Sequence, residues 1–277
     1  MIAALDIGGT KLLAASVQEG RILQGRQAPT PQDRSPQVVL SVALELLRLF
    51  LPGAKALGVA ATGTVRDGKV TAPNQQTLPW TELDLQEMLH QATRLPIFVL
   101  NDADAAAWGE ARFGAGRGCA NFLFVTVSTG IGSGLILEHR LHQGSELGFT
   151  RVAAGAFLEH LASGKALDEW ARKRGWKGAA EVIERASSDP QAADQLDQSA
   201  RLLAEKLLDL RVVLGLERVA VGGGLGLRKA YLEHLQNLVG PSLPIEAAQL
   251  GAEAGLIGVA DWAEQGLDAQ MADTSAG

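Results

Sequence analysis

Three clusters of glycine each follow an apolar segment in this 277-residue chain. They are Gly8-Gly9-Thr10-Lys11, Ser128-Thr129-Gly130-Ile131-Gly132-Ser133-Gly134 and Gly222-Gly223-Gly224. At the end of a strand, glycine lets backbone N–H groups converge on an anion without interference from Cβ atoms, and Ser or Thr hydroxyls add donors. The pattern therefore predicts phosphate binding, although tight hairpins and helix–sheet contacts also select glycine.

Carboxylates stand beside two of the apolar segments. Asp6 precedes the first glycine cluster, where it could hold Mg²⁺ and its waters against phosphate groups or simply cap a turn. Asn101 and Asp102 lie where a predicted strand ends and a helix begins, so either side chain could be a helix N-cap. In an α/β fold the same position suits a carboxylate that accepts the proton of an attacking hydroxyl, with the neighbouring Asn orienting the acceptor.

The two common nucleotide-binding fingerprints are absent from the sequence. No G-x-x-x-x-G-K-[ST] occurs, and no G-x-G-x-x-G opens a helix with an acidic residue about 20 positions later. The Gly130-Ile131-Gly132 segment is followed by the β-like run Leu135-Ile136-Leu137. P-loop and dinucleotide-binding folds are therefore disfavoured.

Apolar strands alternate with amphipathic helices in the first part of the chain. Strands are predicted at 2–5, at 12–17, from Arg21 onward, at 56–61 and at 97–100; helices are predicted from Ser35-Pro36 to Pro52-Gly53, over 84–93 and after Asp102. This alternation is typical of an α/β layered domain.

The second part of the chain begins with a similar pattern. A shift of 119 residues places Thr10 on Thr129 and Arg21 on Arg140, and in both halves two apolar strands flank a Gly/Thr loop. We infer a duplication that produced two similar α/β domains, although two unrelated hairpins could also give this pattern.

The rest of the chain is predicted to be mostly helical. Helices are expected at 157–173, 178–187, 191–213, 226–239 and 251–265, with strands at 218–221 and near 244. Leu202, Leu203, Leu207, Leu208 and Val212 fall on one face of the long helix. The expected domains are 1–112 and 113–266, with the last helix able to pack back on the first domain, and 267–277 as a flexible tail.

Composition excludes several functional classes. With 47% hydrophobic residues, the chain can bury a large hydrophobic core, so a disordered or fibrous protein is not expected. Its net charge of −6 gives no electrostatic attraction to nucleic acid or anionic membranes. Cys119 is the single cysteine, so no intrachain disulfide or Cys-based zinc cage is possible. The N-terminus does not match a signal peptide. We expect a cytoplasmic protein.

Six motifs occur together in a characteristic order. They are Asp6-x-Gly8-Gly9-Thr10-Lys11, Ala61-Thr62-Gly63, Ala72-Pro73-Asn74, Asn101-Asp102-Ala103-x-Ala105-Ala106, Ser128-Thr129-Gly130-Ile131-Gly132-x-Gly134 and Val221-Gly222-Gly223. Together they cover nearly the whole chain and resemble the ROK family of bacterial sugar kinases, in its N-acylmannosamine kinase or glucokinase branch. The resemblance implies an actin-like ATPase (ribonuclease H-like) fold, with two similar α/β domains around a cleft for ATP-Mg²⁺ and sugar.

The resemblance also implies roles for individual residues. Asp102 matches the catalytic base that deprotonates the sugar 6-hydroxyl. The matches to sugar-binding positions are Gly63, Asn74, Asn101, Glu146 and Glu159. The matches to ATP- and phosphate-binding positions are Asp6, Gly8, Gly9, Thr10, Lys11, Thr129, Gly130, Gly132, Gly222 and Gly223.

One region departs from the family pattern. The family usually has a His directly after the E-x-G triplet, which binds both sugar and zinc, followed by a Cys-rich loop. This chain has Phe149 there and no cysteine nearby, so we expect no structural zinc. His142 or His160 could replace the missing sugar contact, or either could be an ordinary surface residue.

The resemblance implies an ATP-dependent hexose kinase acting on the 6-hydroxyl of N-acetylmannosamine, glucose or a related hexosamine. The alternatives are an impaired sugar- or nucleotide-binding protein and a kinase for a non-hexose acceptor. Family repressors carry a helix-turn-helix module before the first strand, and here that strand begins at Ile2, so we expect no nucleic-acid partner. Because family members are commonly dimers, we expect a homodimer.

Overall fold

The computed structural model describes residues 1–72, 78–152 and 155–275. The chain divides into two compact units, the first made of Met1–Phe113 with Ala252–Gly277 and the second of Gly114–Gly251. Each unit is built on a five-stranded sheet, and a three-stranded sheet is added to the first.

The elements of the first unit alternate between strands and helices. In chain order they are β1 (Ile2–Ile7), β2 (Lys11–Gln18), β3 (Arg21–Pro29), α1 (Pro36–Leu47), β4 (Leu57–Ala61), β5 (Thr64–Arg66), β6 (Lys69–Thr71), β7 (Leu83–Asp84), α2 (Leu85–Thr93), β8 (Ile97–Asn101), α3 (Asp102–Phe113) and the C-terminal helix, α9 (Ala254–Ser275). The main sheet has the order β3-β2-β1-β4-β8.

The register of this sheet places the chemistry-bearing residues at one edge. β1, β4 and β8 run parallel, with Ile7 opposite Ala61 and Ala61 opposite Asn101. Their carboxyl ends therefore meet, and the side chains of Asp6 and Asp102 belong to that edge. The strands between them are buried and apolar, as expected of parallel strands covered on both faces.

The second unit repeats this topology. Its elements are β9 (Phe122–Val127), β10 (Ile131–Leu137), β11 (Arg140–His142), α4 (Leu158–Ala162), α5 (Gly164–Arg172), α6 (Ala179–Arg185), α7 (Pro190–Leu214), β12 (Arg218–Gly222), α8 (Lys229–Val239) and β13 (Ile245–Ala247). The sheet order is β11-β10-β9-β12-β13, with the same succession of two antiparallel and two parallel pairings. The predicted repeat of two similar α/β domains is confirmed.

Close glycine contacts hold α9 against α3 in the first unit. A Cβ on Gly258 would lie 1.8 Å from the carbonyl oxygen of Ala105, so no other residue fits there without displacing backbone. The indole N–H of Trp108 donates to Asp261 at 2.8 Å. The helix continues to Ser275, through the segment expected to be a flexible tail, because residues such as Ala, Gln and Met in that segment are good helix formers.

Three predicted helices differ from the structure. The segment 157–173 forms two helices because Ser163 caps α5, accepting from the Ala166 N–H, and Gly164 approaches the Ser128 carbonyl. The helix expected from 226 begins at Lys229, since the residues before it form the third glycine loop. Val212, expected on the same face as Leu203 and Leu207, is 80% exposed, because the last turns of α7 face the core through Leu210 and Leu214 instead. No helix within the described residues is long and apolar enough to span a bilayer.

Candidate active site

Asp6 is the penultimate residue of β1, at the carboxyl edge of the first sheet. Burial raises the pKa of its carboxyl from 3.8 to about 7; the charge of Asp102 adds to the rise and Lys11 opposes it. Among the described residues no hydrogen bond is donated to this carboxylate. A buried acid without donors and beside a second acid is suited to a hard divalent cation or to a shared proton.

Asp102 begins α3, one residue after the end of β8. Its Oδ1 accepts from the Ala103 N–H at 2.9 Å, and its Oδ2 accepts from the Thr62 hydroxyl at 2.8 Å. Burial raises the pKa of Asp102, while the Thr62 hydroxyl and the backbone N–H groups oppose the rise. Each carboxylate oxygen keeps acceptor capacity. The group can therefore accept the proton of an incoming hydroxyl.

The side chain of Asn101 organises the same edge. Its Oδ1 accepts from the N–H groups of Ala103 and Asp104, which caps α3, and its Nδ2 donates to the carbonyl of Gly63 at 2.8 Å. Gly63 has φ +128°, and a Cβ there would lie 2.6 Å from the Thr71 carbonyl. The helix-cap role is thus present, and the Asn101 side chain also acts as a hydrogen-bond donor to Asp102, which opposes the rise in the pKa of that carboxyl.

The first glycine loop joins β1 to β2. The Gly8 N–H donates to the Lys11 carbonyl at 3.1 Å, and the Gly8 carbonyl accepts from the Thr30 hydroxyl at 2.6 Å. Thr10 is exposed at the tip, between the partly buried Gly9 and the exposed Lys11. These bonds close the hairpin and leave its tip facing solvent.

The second glycine loop joins β9 to β10 in the second unit. Its carbonyls are held by the start of α5, because the Gly164 N–H donates to Ser128 at 2.7 Å and the Lys165 N–H donates to Thr129 at 3.2 Å. Thr129 is exposed at the tip, and Gly132 lies within β10. With its carbonyls bonded inward, the loop is free to present hydroxyl and N–H donors outward, as an anion site requires.

Glu159 contacts this loop directly. Its Oε2 accepts from the Ile131 N–H at 3.0 Å, and a Cβ on Gly130 would lie 2.3 Å from the same oxygen. Gly148 is equally constrained on the other side, where a Cβ would lie 2.2 Å from the Ile131 carbonyl and 3.4 Å from the Glu159 Cβ. The structure therefore places Glu159 between the E-x-G segment and the second loop.

An aromatic group occupies the segment that follows the E-x-G triplet. Phe149 is 41% exposed and lies edge-on to Phe157, with ring centroids 6.0 Å apart. The Arg151 guanidinium lies over the Phe157 ring at 5.0 Å, and the His160 ring is 5.5 Å away. Exposed Glu146 begins the short 3-10 helix Leu147–Phe149. In the described part of the chain, no three His, Cys, Asp or Glu side chains are grouped as metal ligands.

The third glycine loop packs on the end of β9. Gly223 has φ +86°, and a Cβ there would lie 2.4 Å from the Val127 carbonyl; the N–H groups of Leu225 and Gly226 donate to that carbonyl at 3.0 Å. Gly222, at the end of β12, is buried against Phe124. Close backbone packing therefore accounts for these two glycines, whereas Gly224 faces open space.

The predicted site residues thus form two groups. Asp6, Gly63, Asn101 and Asp102 share one edge of the first sheet, and Thr129, Gly130, Glu159 and Gly223 surround the end of β9 in the second unit. Asn74 lies outside the described residues. The sequence analysis assigned no role to Thr62 or Thr30, although both form hydrogen bonds within the first group. The sequence signal for Thr62 was its position directly after a buried strand.

A surface cavity of about 350 Å³ lies elsewhere in the first unit. Residues Gln86, Glu87 and His90 of α2 line it together with Phe98. Phe98 lies near the start of β8, at the opposite end of that strand from Asn101. Because the paired acids are at the carboxyl edge, we assign the candidate site to that edge and not to this cavity.

The resemblance implies Mg²⁺, and the residues at this edge fit it. The test is the donor set: Asp6 offers carboxylate oxygens that accept no protein hydrogen bond among the described residues, beside a second carboxylate, and hard cations prefer such oxygens. Asp6 could hold the hydrated ion near phosphate groups.

Comparison with known proteins shows which family this chain is similar to. The model of the ROK family matches residues 2–266. N-acetylmannosamine kinases are similar over 95% of this chain, one from Haemophilus influenzae (strain PittEE) at 33% identity over 95% of its length and one from Yersinia pseudotuberculosis at 37% over 98%. A ROK family glucokinase from Streptomyces griseus, solved with glucose and AMPPNP, superposes with a TM-score of 0.79 at 30% identity, covering 95% of this chain and 99% of the other.

These similarities extend along nearly the whole chain and include the glycine loops and the Asn101-Asp102 segment. The predicted actin-like ATPase fold is confirmed, because the superposed structures are ROK sugar kinases. The chain belongs to the ROK family.

Proposed function

We propose that this protein is an ATP-dependent kinase that transfers the γ-phosphoryl group of ATP to the 6-hydroxyl of N-acetylmannosamine, glucose or a related hexose or hexosamine. The observation that carries the proposal is Asp102, a carboxylate at the carboxyl edge of a parallel sheet, held by two hydrogen bonds and with acceptor capacity remaining. Its support comes from N-acetylmannosamine kinases at 33% and 37% identity and from the glucokinase structure.

In this proposal Asp102 is the general base. It accepts the proton of the sugar 6-hydroxyl as the hydroxyl oxygen attacks phosphorus, and general bases of this kind contribute about 10²- to 10⁴-fold to rate. Burial raises the pKa of Asp102, which increases its basicity, and the Thr62 and backbone donors keep it from rising further. The side-chain amide of Asn101 orients the sugar beside Asp102. The further sugar-binding positions that we propose are Asn74, Gly63, Glu146 and Glu159.

The glycine loops bind the phosphates of ATP. Gly8, Gly9, Thr10 and Lys11 form the first binding segment, Thr129, Gly130 and Gly132 the second, and Gly222 and Gly223 lie on the adenosine side. Asp6 would hold Mg²⁺, and the ion would neutralise phosphate charge. Such reactions depend mainly on positioning and electrostatic stabilisation, which well-anchored loops can supply.

We further propose a cytoplasmic homodimer without structural zinc and without a nucleic-acid partner. The single cysteine and the acidic net charge support the location and the absence of nucleic acid. The aromatic group Phe149, Phe157 and His160 supports a structure held by ring packing where relatives use metal.

The experiment that tests the function is ADP release on a panel of hexoses with ATP and Mg²⁺. We expect turnover with N-acetylmannosamine, glucose or N-acetylglucosamine, and a 6-phosphate product identified by phosphorus–carbon coupling in NMR spectra. If no sugar of the panel were phosphorylated although ATP or sugar bound measurably, the non-catalytic alternative would be favoured. Phe149 motivates this alternative, because it replaces the sugar-binding His that the family resemblance implies. Formation of an acyl phosphate without hexose would indicate another acceptor.

A further inference from the structure

Thr62 joins the three parallel strands that carry the proposed chemistry. It directly follows β4, the strand between β1 and β8. Its backbone N–H donates to the carbonyl of Ile7 at 3.1 Å, and its hydroxyl donates to Oδ2 of Asp102 at 2.8 Å. One residue is therefore anchored to the end of β1 by its main chain and to the proposed base by its side chain.

The second hydrogen bond decides how the carboxylate is oriented. Rotation of a carboxylate about Cβ–Cγ is a broad torsion with little intrinsic preference, so its plane is set by its donors. The Ala103 N–H donates to Oδ1 at 2.9 Å, the Asn101 side chain and the Asp102 N–H also act on the carboxylate, and the Thr62 hydroxyl is the side-chain donor within 2.8 Å of Oδ2. The donor on Oδ2 completes the restraint on that plane. Each oxygen can accept about one further hydrogen bond, and the directions of these free positions are then set as well.

Charged groups near Asp102 also act on the orientation of its carboxylate. Asp6 on β1 repels the Asp102 carboxylate, and Lys11 at the start of β2 acts on Asp6. From α9, Gly255 approaches Asp6 and the Asp102 backbone without a side chain. Nothing among these groups donates a hydrogen bond to Oδ2, so the Thr62 hydroxyl is the donor that opposes the repulsion there.

We propose that Thr62 is a positioning residue that fixes the carboxylate plane of Asp102 for proton transfer from the acceptor hydroxyl. The proposal rests on the proposed kinase function. Thr62 does not touch the reacting atoms; it acts through Asp102. It follows that loss of the hydroxyl affects the chemical step, while loss of the backbone anchor would affect folding.

Three variants separate these effects. Thr62→Val removes the hydroxyl and keeps the shape and the N–H, Thr62→Ser keeps the hydroxyl, and Thr64→Val makes the same change at an exposed residue two positions away. We expect Thr62→Val to lower kcat about ten-fold, as for loss of a hydrogen bond to a charged group, with KM for ATP and sugar within about two-fold. Thr62→Ser should restore kcat and Thr64→Val should leave it unchanged.

Other kinetic results would overturn the proposal. A Thr62→Val enzyme with wild-type kcat would show that the hydroxyl is dispensable. Equal losses in Thr62→Val and Thr62→Ser, together with a lowered Tm and raised KM values, would show a purely structural role.

Crystal structures of the wild type and Thr62→Val provide a readout that does not depend on activity. We expect the Asp102 carboxylate of the variant to be rotated about Cβ–Cγ or spread over two conformers, with the backbone unchanged. If no hexose is turned over by the wild type, the kinase proposal fails while this comparison still decides the role of Thr62. An unchanged carboxylate in Thr62→Val would contradict the positioning role.

Discussion

The two units share a strand order and differ in what their strand ends carry. Near the carboxyl ends of β1 and β8 in the first unit lie Asp6 and Asn101-Asp102, whereas the corresponding strands β9 and β13 of the second unit end in Thr126-Val127 and Glu246-Ala247. The first unit therefore has two interacting carboxylates at this edge, while in the second unit the Glu246 carboxylate forms an ion pair with Arg218. Under the proposed function, proton transfer belongs to the first unit, and the second unit contributes a phosphate-binding loop that has no charged side chain.

The hairpin loops of the two units also differ in the groups that hydrogen-bond to them. In the first loop, the neutral Thr30 hydroxyl donates a hydrogen bond to the Gly8 carbonyl. In the second loop, the Glu159 carboxylate accepts a hydrogen bond from the Ile131 N–H. The second loop is also held by the start of α5, through Gly164 and Lys165. Within the described residues, the second loop thus accepts or donates three bonds with other segments, and the first loop two, since the Thr30 N–H also donates to the Thr10 carbonyl. The difference fits the proposed role of the second loop in holding phosphate-binding donors in place.

The largest expected effect on stability tests whether the second unit is as tightly constrained as its glycines suggest. Gly223→Ala places a Cβ 2.4 Å from the Val127 carbonyl at φ +86°, so we expect Tm to fall by about 8 °C. Gly224→Ala is the matched control, because the neighbouring position is open. Calorimetry on both variants checks this, and equal Tm values would show that the third loop is not close-packed.

A smaller effect tests the anchoring of the second loop by Glu159. Glu159→Ala removes the acceptor of the Ile131 N–H, and we expect KM for ATP to rise about ten-fold, along with KM for sugar. Glu159→Gln keeps an acceptor oxygen, so it should raise KM for sugar more than KM for ATP. Steady-state kinetics with each substrate varied in turn measures both. Were Glu159→Ala to leave KM for ATP unchanged, the carboxylate would have no role in the loop.

The smallest effect is a pH dependence carried by the first unit. The pKa of Asp6 is about 7 in the folded protein and near 3.8 in the unfolded chain. Between these two pH values the folded state therefore binds more protons than the unfolded state, so the free energy of unfolding falls as pH rises through this range. Asp6→Asn removes this cost, and without divalent cations we expect its Tm to exceed that of the wild type by about 4 °C at pH 8 and by less at pH 5.

The exposed Asp33 is the control for this measurement. A hydrogen bond from the Ser35 N–H lowers the pKa of Asp33, so its contribution has the opposite sign and is lost as pH falls below its ordinary value. Asp33→Asn should therefore not raise Tm at pH 8. A Tm difference for Asp6→Asn that did not change with pH would contradict the raised pKa.

Much of this arrangement could be predicted from residue patterns. Apolar runs followed by polar residues predicted the buried strands beside Asp6 and Asp102. The match of Thr10 to Thr129 predicted the repeat of two similar domains. The contacts of Thr62 with Asp102 and of Thr30 with Gly8 were not, because they join residues 40 and 22 positions apart whose meeting depends on strand register. Likewise, Gly164 gave no signal that it would divide a helix, since its reason is the Ser128 carbonyl.

The glycines illustrate the same limit. Clusters at strand ends predicted phosphate loops, yet glycine at positions 223 and 63 is required by nearby carbonyls, whether or not a phosphate is present. Those carbonyls would lie 2.4 Å from a Cβ on Gly223 and 2.6 Å from a Cβ on Gly63. Sequence alone does not separate glycine selected for packing from glycine selected for a ligand. Gly224, with open space around it, is the position in the third loop where packing gives no explanation.

The most direct test of proton transfer in the first unit is turnover by Asp102→Asn. Asparagine keeps one acceptor oxygen for the Ala103 N–H, and its amide NH2 can donate to the Thr62 oxygen in place of accepting from it. It cannot take up a proton, so turnover should be lost while the fold and the binding of ATP and sugar persist. With the best hexose we expect kcat to fall about 1,000-fold, with dissociation constants from calorimetry unchanged within about two-fold. Near wild-type turnover by this variant would contradict the assignment of Asp102 as the base.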